Sequence, residues 1–267
     1  MNKIFTLYDI EFKRSYKIYF SLIAALLLGN IGTFVYYVKD AINIVASQRR
    51  VKPSLALLKT ELGKTNIYFS SIDYTYNLTT IILGFCVISC LIYAVVIWYR
   101  DFLGKSKTSY TLFMLPTNKF NIYIAKLMMI LTMIYTLIII QLVAWGIEVS
   151  IIHSLTNLPL SKITSRVTLF LSLTPLDITS FIMIDVLGVI LAVVVIFTGI
   201  MLQKSSKRFG IIKGLVYILA VLVVYLLITI DIQFSDILLI RHSIFYIVTF
   251  ALSIYLSYKL INNNIHI

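Results

Sequence analysis

Apolar residues run almost unbroken over six stretches, residues 18–38, 78–99, 127–149, 180–202, 211–230 and 238–258. At about 1.5 Å rise per residue, roughly 20 such residues cross the ~30 Å hydrocarbon core of a bilayer as a helix. Only helices and closed barrels satisfy their backbone polar groups in lipid. The pattern therefore predicts an all-α integral membrane protein, a single transmembrane domain over residues 1–267 with six spans. Ahead of the first span, residues 2–17 set Ile4, Phe5, Tyr8 and Phe12 on one helical stripe, with Lys3, Asp9, Glu11, Lys13 and Arg14 mostly opposite. That spacing predicts an amphipathic elbow helix lying in the membrane interface, with Phe5, Tyr8 and Phe12 on its apolar side. The acids within it, and the lack of an A-x-A site after the next apolar run, argue against a cleaved signal peptide.

The segments between spans carry the charge, and charge sets orientation. Between spans 2 and 3, Arg100, Lys105, Lys107, Lys119 and Lys126 stand against one acid, Asp101. Lys and Arg in short loops mark the cytoplasmic side. With both termini placed inside, cytoplasmic segments hold 14 of the 23 basic residues and outer segments hold 9. Six of the outer ones fall in residues 39–77, the worst fit to the rule; VKPSLALLKTELGK there reads as a short amphipathic helix. The second outer segment, residues 150–178, contains an apolar patch, VTLFLSLTPL, too short to span. Arg241 and His242 interrupt the last apolar run, so residues 231–242 are open to a shallow re-entrant turn. Within residues 100–119, SYTLFML has helix-like spacing and Pro116 ends it, which predicts a short helix on the cytoplasmic surface.

Composition narrows the function. A chain 60% hydrophobic with mean hydropathy +0.96 lies well above the ~45–50% apolar content of soluble domains. No soluble-looking stretch exceeds forty residues, so no nucleotide-binding domain fits. The net charge of +12 is dispersed through loops, which suits orientation and anionic lipid headgroups and not nucleic acid. Gly104-Lys105-Ser106 lacks the glycine five positions earlier that a phosphate-binding loop requires. No H-E-x-x-H, paired-Glu or G-x-S-x-G signature occurs, so the reading assigns no catalytic residue, no metal and no cofactor to this chain. Cys86 and Cys90 are four apart in a span and read as small core residues.

Polar residues inside spans carry the remaining chemistry. Asp185 lies a third of the way into the fourth span, where an unpaired carboxylate costs at least ~2.5 kcal/mol at the bilayer centre. It is either a pathway residue or an acid bonded to a neighbouring helix. Asn30, Gln141 and Thr198 have the same two readings, and helix-to-helix hydrogen bonding is the commoner fate. Gly210 and Gly214 form a small-xxx-small pattern that either permits close helix contact or marks a loop end.

One ordered set of landmarks resembles a known family. Tyr99-Arg100-Asp101, then Leu115-Pro116-Thr117-Asn118, then Lys126-Leu127 at the opening of the next span, is similar to the permease subunits of type-2 ABC exporters, and the six-span plan agrees. The resemblance implies that residues 100–119 are a coupling helix docking into a separate ATPase, with Tyr99, Arg100, Asp101, Phe113, Leu115, Pro116 and Lys126 as coupling residues. It implies two ABC ATPase subunits as partners, ATP and Mg held on them, and a second permease copy as homodimer or related heterodimer. It further implies export from the bacterial cytoplasmic membrane of an amphipathic peptide, toxin or drug, such as a bacteriocin or phenol-soluble modulin. An ion-driven secondary transporter using Asp185, or a non-transport scaffold or sensor, are the rival readings; no internal repeat supports the first.

Overall fold

In the computed structural model, which describes residues 3–53, 67–103, 118–156, 186–205, 209–230 and 235–263, the apolar stretches form six long helices. They are α1 (Lys3–Arg49), α2 (Ile67–Leu103), α3 (Lys119–Thr156), α4 (Gly188–Ser205), α5 (Gly210–Ile230) and α6 (Ser235–Asn263). Each is long and apolar enough to cross a membrane, and no strand occurs among the described residues. The chain is a multi-pass membrane protein. Lipid as solvent explains the large side chains left outside, such as Ile211, Leu219 and Leu227 on α5 and Leu28 and Ile31 on α1.

The structure departs from the sequence expectation at the N-terminus. Residues 2–17 were expected to form a separate elbow, but α1 runs unbroken from Lys3 to Arg49, 47 residues or about 70 Å. No proline or glycine precedes Gly29, so nothing in the backbone ends the helix at residue 17. Leu7, Glu11 and Ser15, one turn apart, are buried, whereas Phe5 is 58% exposed.

Helix ends also shift for local reasons. At the end of α1, Arg50 adopts φ 53°, Val51 N–H donates to the Ala46 carbonyl (3.0 Å) and Arg50 N–H to the Ser47 carbonyl (3.4 Å). This is a Schellman closure, followed by Pro53, and it carries α1 well past the Val38 boundary read from hydropathy. At the start of α3, the Asn118 side-chain oxygen accepts from Phe120 N–H at 3.0 Å, an N-cap that fixes where the helix begins. α6 begins at Ser235, so residues 235–242 are the first turns of that helix and not a re-entrant turn. The expected amphipathic helix after Pro53, the apolar patch at 167–176 and residues 180–185 of the fourth span lie outside the described residues.

Two compact units divide the chain. One comprises residues 17–88 and 134–174. In it Asn30 and Gln141 exchange two amide hydrogen bonds of 2.9 and 2.8 Å, and Trp145 Nε1 donates to the Thr79 hydroxyl at 2.9 Å. The other comprises residues 1–16, 89–133 and 175–267. There α4 and α5 cross at glycines: a Cβ on Gly214 would overlap the Gly199 carbonyl, and one on Gly210 the Gln203 carbonyl. The small-xxx-small pattern is thus a close helix contact. Thr198 joins α4 to α6, its hydroxyl 2.9 Å from that of Ser257, while the Tyr217 and Ser253 hydroxyls of α5 and α6 meet at 2.7 Å.

The closure of α1 generates a prediction. An L-residue in the left-handed region costs roughly 1–2 kcal/mol that glycine avoids. Arg50→Gly should therefore raise stability by about 1 kcal/mol, read as a higher midpoint in detergent thermal unfolding.

Candidate functional site

The first part of α1 docks on α3 through Leu7, which packs on Ile122 and Ala125. One turn along, this contact brings Glu11 inward. Opposite it stand Arg100 and Asp101 in the last turn of α2 and Lys126 two turns into α3. Glu11 and Asp101 are each 3% exposed and Lys126 is 0% exposed, so all three must find partners in protein.

They find one another. Lys126 Nζ donates to Glu11 Oε1 at 2.7 Å and to Asp101 Oδ2 at 2.5 Å, and its ammonium lies 5.3 Å from the Trp98 ring centroid. Arg100 Nη2 donates to the other Glu11 oxygen at 2.5 Å, and Nη1 to the Tyr93 hydroxyl at 3.2 Å. The Tyr93 hydroxyl is 2.6 Å from Ser15 Oγ, which donates at 2.8 Å to the Glu11 carbonyl. Arg14 stands looser, 3.9 Å from Glu11 and 3.7 Å from Asp101, and about a third exposed. Two carboxylates thus meet three cations, and the surplus positive charge sits at the solvent-accessible arginines.

An aromatic shell backs the cluster. Trp98 stacks on Phe102 (5.9 Å between centroids) and meets Phe197 edge-on (5.5 Å), and Tyr123 lies 5.5 Å from Phe197. Rings of this kind exclude water and strengthen the ion pairs behind them. The last turn of α2 is also held to α4: Tyr99 donates its hydroxyl hydrogen to Gln203 Oε1 at 2.5 Å, and Lys204 lies over the Tyr99 and Phe102 rings at 5.3 and 4.9 Å. The two helix ends that flank residues 104–117 are therefore tied to α1 by ions and to α4 by an aromatic and cation-π seam.

Of the sequence-derived candidates, Arg100, Asp101 and Lys126 come together in this cluster and Tyr99 lies beside it. Phe113, Leu115 and Pro116 lie outside the described residues, as does Asp185. Phe5 points outward, while Tyr8 meets Thr132 at 3.1 Å and stacks on Phe12, so neither Tyr8 nor Phe12 enters the ion cluster. Asn30 and Gln141 answer each other's amides in the other unit. Glu11 is the residue that sequence reading missed. The signal was present: Lys126 opens an apolar span with only Asp101 nearby in sequence, and Leu7, Glu11 and Ser15 share a face at four-residue spacing.

Removing one member of a buried ion group costs roughly 3–5 kcal/mol, because its partners stay buried and uncompensated. Lys126→Met should lower stability by about that amount in detergent unfolding. Adding Asp101→Asn should recover part of the loss, since Glu11 keeps Arg100. Comparison with protein-family models, with curated proteins and with solved structures returns no match.

Proposed function

We propose that this chain is the membrane-spanning permease subunit of an ATP-driven exporter of the type-2 ABC kind. The observation that carries the reading is the ion cluster. Glu11, Asp101, Arg100 and Lys126 bind the start of α1 to the two helix ends bracketing residues 104–117. A push on that bracketed segment from an ATPase would pass through the buried Lys126 ion pairs and the Arg100–Glu11 pair to the adjoining ends of α1, α2 and α3. Tyr99 and Lys204 would carry the same displacement into α4. Such a joint suits a machine whose motor is a separate protein, because it ties the ends of several helices together beside the segment the motor would touch.

In this reading two ATPase subunits bind from the cytoplasm, holding ATP and Mg, and the chain contributes no catalytic residue. A second permease copy, identical or related, completes the path, since six spans enclose little room alone. The cargo is an amphipathic peptide, toxin or drug, moved outward across the bacterial cytoplasmic membrane. The start of α1 serves as the elbow element, contacting the coupling segment through Glu11 instead of lying free on the membrane.

Two experiments test this. Affinity purification of the tagged chain from its native membrane should yield a complex that hydrolyses ATP, and Phe113→Asp with Leu115→Asp should remove the ATPase while leaving the permease in the membrane. A purified chain that brings no ATPase, or keeps it after both substitutions, overturns the proposal. In the second, Lys105→Cys should react with a membrane-impermeant maleimide in inverted vesicles and not in intact cells. Labelling from outside would leave the motor no point of contact.

A further inference from the structure

The ion cluster is left with one positive charge that its own carboxylates do not bind. Lys126 takes Glu11 Oε1 and Asp101 Oδ2, and Arg100 takes Glu11 Oε2. What remains for Arg14 is Glu11 Oε1 at 3.9 Å and Asp101 Oδ1 at 3.7 Å, both beyond hydrogen-bond distance. Among the described residues, the five N–H donors of this guanidinium therefore meet no acceptor. Arg14 is about a third exposed, whereas Glu11, Asp101 and Lys126 are buried, so it stands at the open edge of the cluster.

Depth in the membrane decides what meets that edge. The apolar runs beside the cluster are residues 18–38, 78–99 and 127–149, and Arg14, Asp101 and Lys126 stand four, two and one residues outside them. Four residues of helix at about 1.5 Å each put Arg14 about 6 Å beyond the hydrocarbon. The headgroup layer on each side of the core is itself about 5–7 Å thick. Just inward of Arg14, Tyr16 and Ile18 are exposed on α1, so lipid covers the helix there. Arg100 adds positive charge behind Arg14 but has committed Nη2 to Glu11 and Nη1 to Tyr93. A planar fork of unengaged donors at headgroup depth matches a phosphate. A zwitterionic headgroup carries its own cation and offsets the gain, whereas an anionic one does not.

We propose that Arg14 binds the phosphate of an anionic phospholipid. The lipid neutralises the third cation of the cluster and holds the start of α1 in place from the membrane side. Lys13 offers the contrast: 74% exposed and bonded to Asp9 at 2.7 Å, it already has its counter-ion. This site goes beyond the permease reading and needs no motor, and its test involves no ATPase.

The full chain is purified in neutral detergent at about 0.15 M salt, where exposed charges are screened beyond ~8 Å. Phosphatidylglycerol, phosphatidylcholine or inorganic phosphate is added, retained lipid is counted by native mass spectrometry, and the thermal midpoint is read alongside. One phosphatidylglycerol should be retained over phosphatidylcholine by about tenfold, equivalent to roughly 1.4 kcal/mol. It should also raise the midpoint, as a ligand of the folded state does. Arg14→Gln should erase both effects. Arg14→Lys, which keeps the charge and loses the fork, should retain only part of them. Lys13→Gln removes the same charge one residue away and should change neither. Equal retention of the two lipids by the unsubstituted chain overturns the proposal, as does a preference undiminished in both Arg14 variants. An equal loss in Lys13→Gln and Arg14→Gln would mean diffuse attraction to a basic helix and overturns it too. Inorganic phosphate that displaces the lipid or raises the midpoint as far would make the ligand a free phosphate, which overturns the lipid assignment.

Discussion

Lys126 holds an ammonium where water does not reach, and everything around it follows from that. An isolated buried ion costs several kcal/mol even after relaxation, so the lysine is tolerable only between two carboxylates at hydrogen-bond distance. One carboxylate, Asp101, comes from the helix end 25 residues earlier. The other, Glu11, comes from a helix 115 residues away in sequence. Three helix segments are thereby placed by one amine. The face that α1 buries combines the apolar contact of Leu7 with this electrostatic demand, and Glu11 lies on it while Phe5 does not.

The same rule governs the weaker polar contacts. In a spanning helix a polar side chain looks first to another helix, since lipid offers no partner. Asn30 and Gln141 meet with both amide groups engaged, and Thr198, Ser253, Ser257 and Tyr217 link α4, α5 and α6 by hydroxyls. Such bonds are each worth about 0.6 kcal/mol on average in membrane proteins, so they set register more than they supply stability. The Glu11–Lys126–Asp101 group is different in kind, because breaking it strands a charge.

Small residues supply the complementary constraint. Where Gly199 faces Gly214, the backbones approach closely and the Ile218 side chain packs over Gly199. Where Gly188 and Ala192 stand, the same smallness leaves a cavity, since α5 and α6 present rings and branched chains that do not reach across. One helix, α4, is therefore held at its C-terminal half by glycine, threonine and Tyr99, and at its N-terminal half by Leu191 and Val195 packed on Phe245 and Tyr246.

The number and approximate position of the spans were legible from hydropathy alone, because a bilayer imposes one length and one polarity on any helix that crosses it. Asn118 caps α3 well ahead of the span read from hydropathy at residue 127, and of the two readings open for Gly210 and Gly214 the packing selects close helix contact. The true ends of α1 were not. The stripe of Phe5, Tyr8 and Phe12 argued for a separate interfacial helix, whereas the backbone had no reason to break before Arg50. Nor did Arg241 and His242 break α6, since two polar residues near a helix start need not interrupt it. Sequence by itself determined a six-helix membrane chain, and the family resemblance placed Arg100, Asp101 and Lys126 among seven coupling residues. Tertiary structure alone decided that Glu11 completes that group, because the pairing of a buried charge depends on distance in space, and helices far apart in sequence carry no local trace of which partner they will meet.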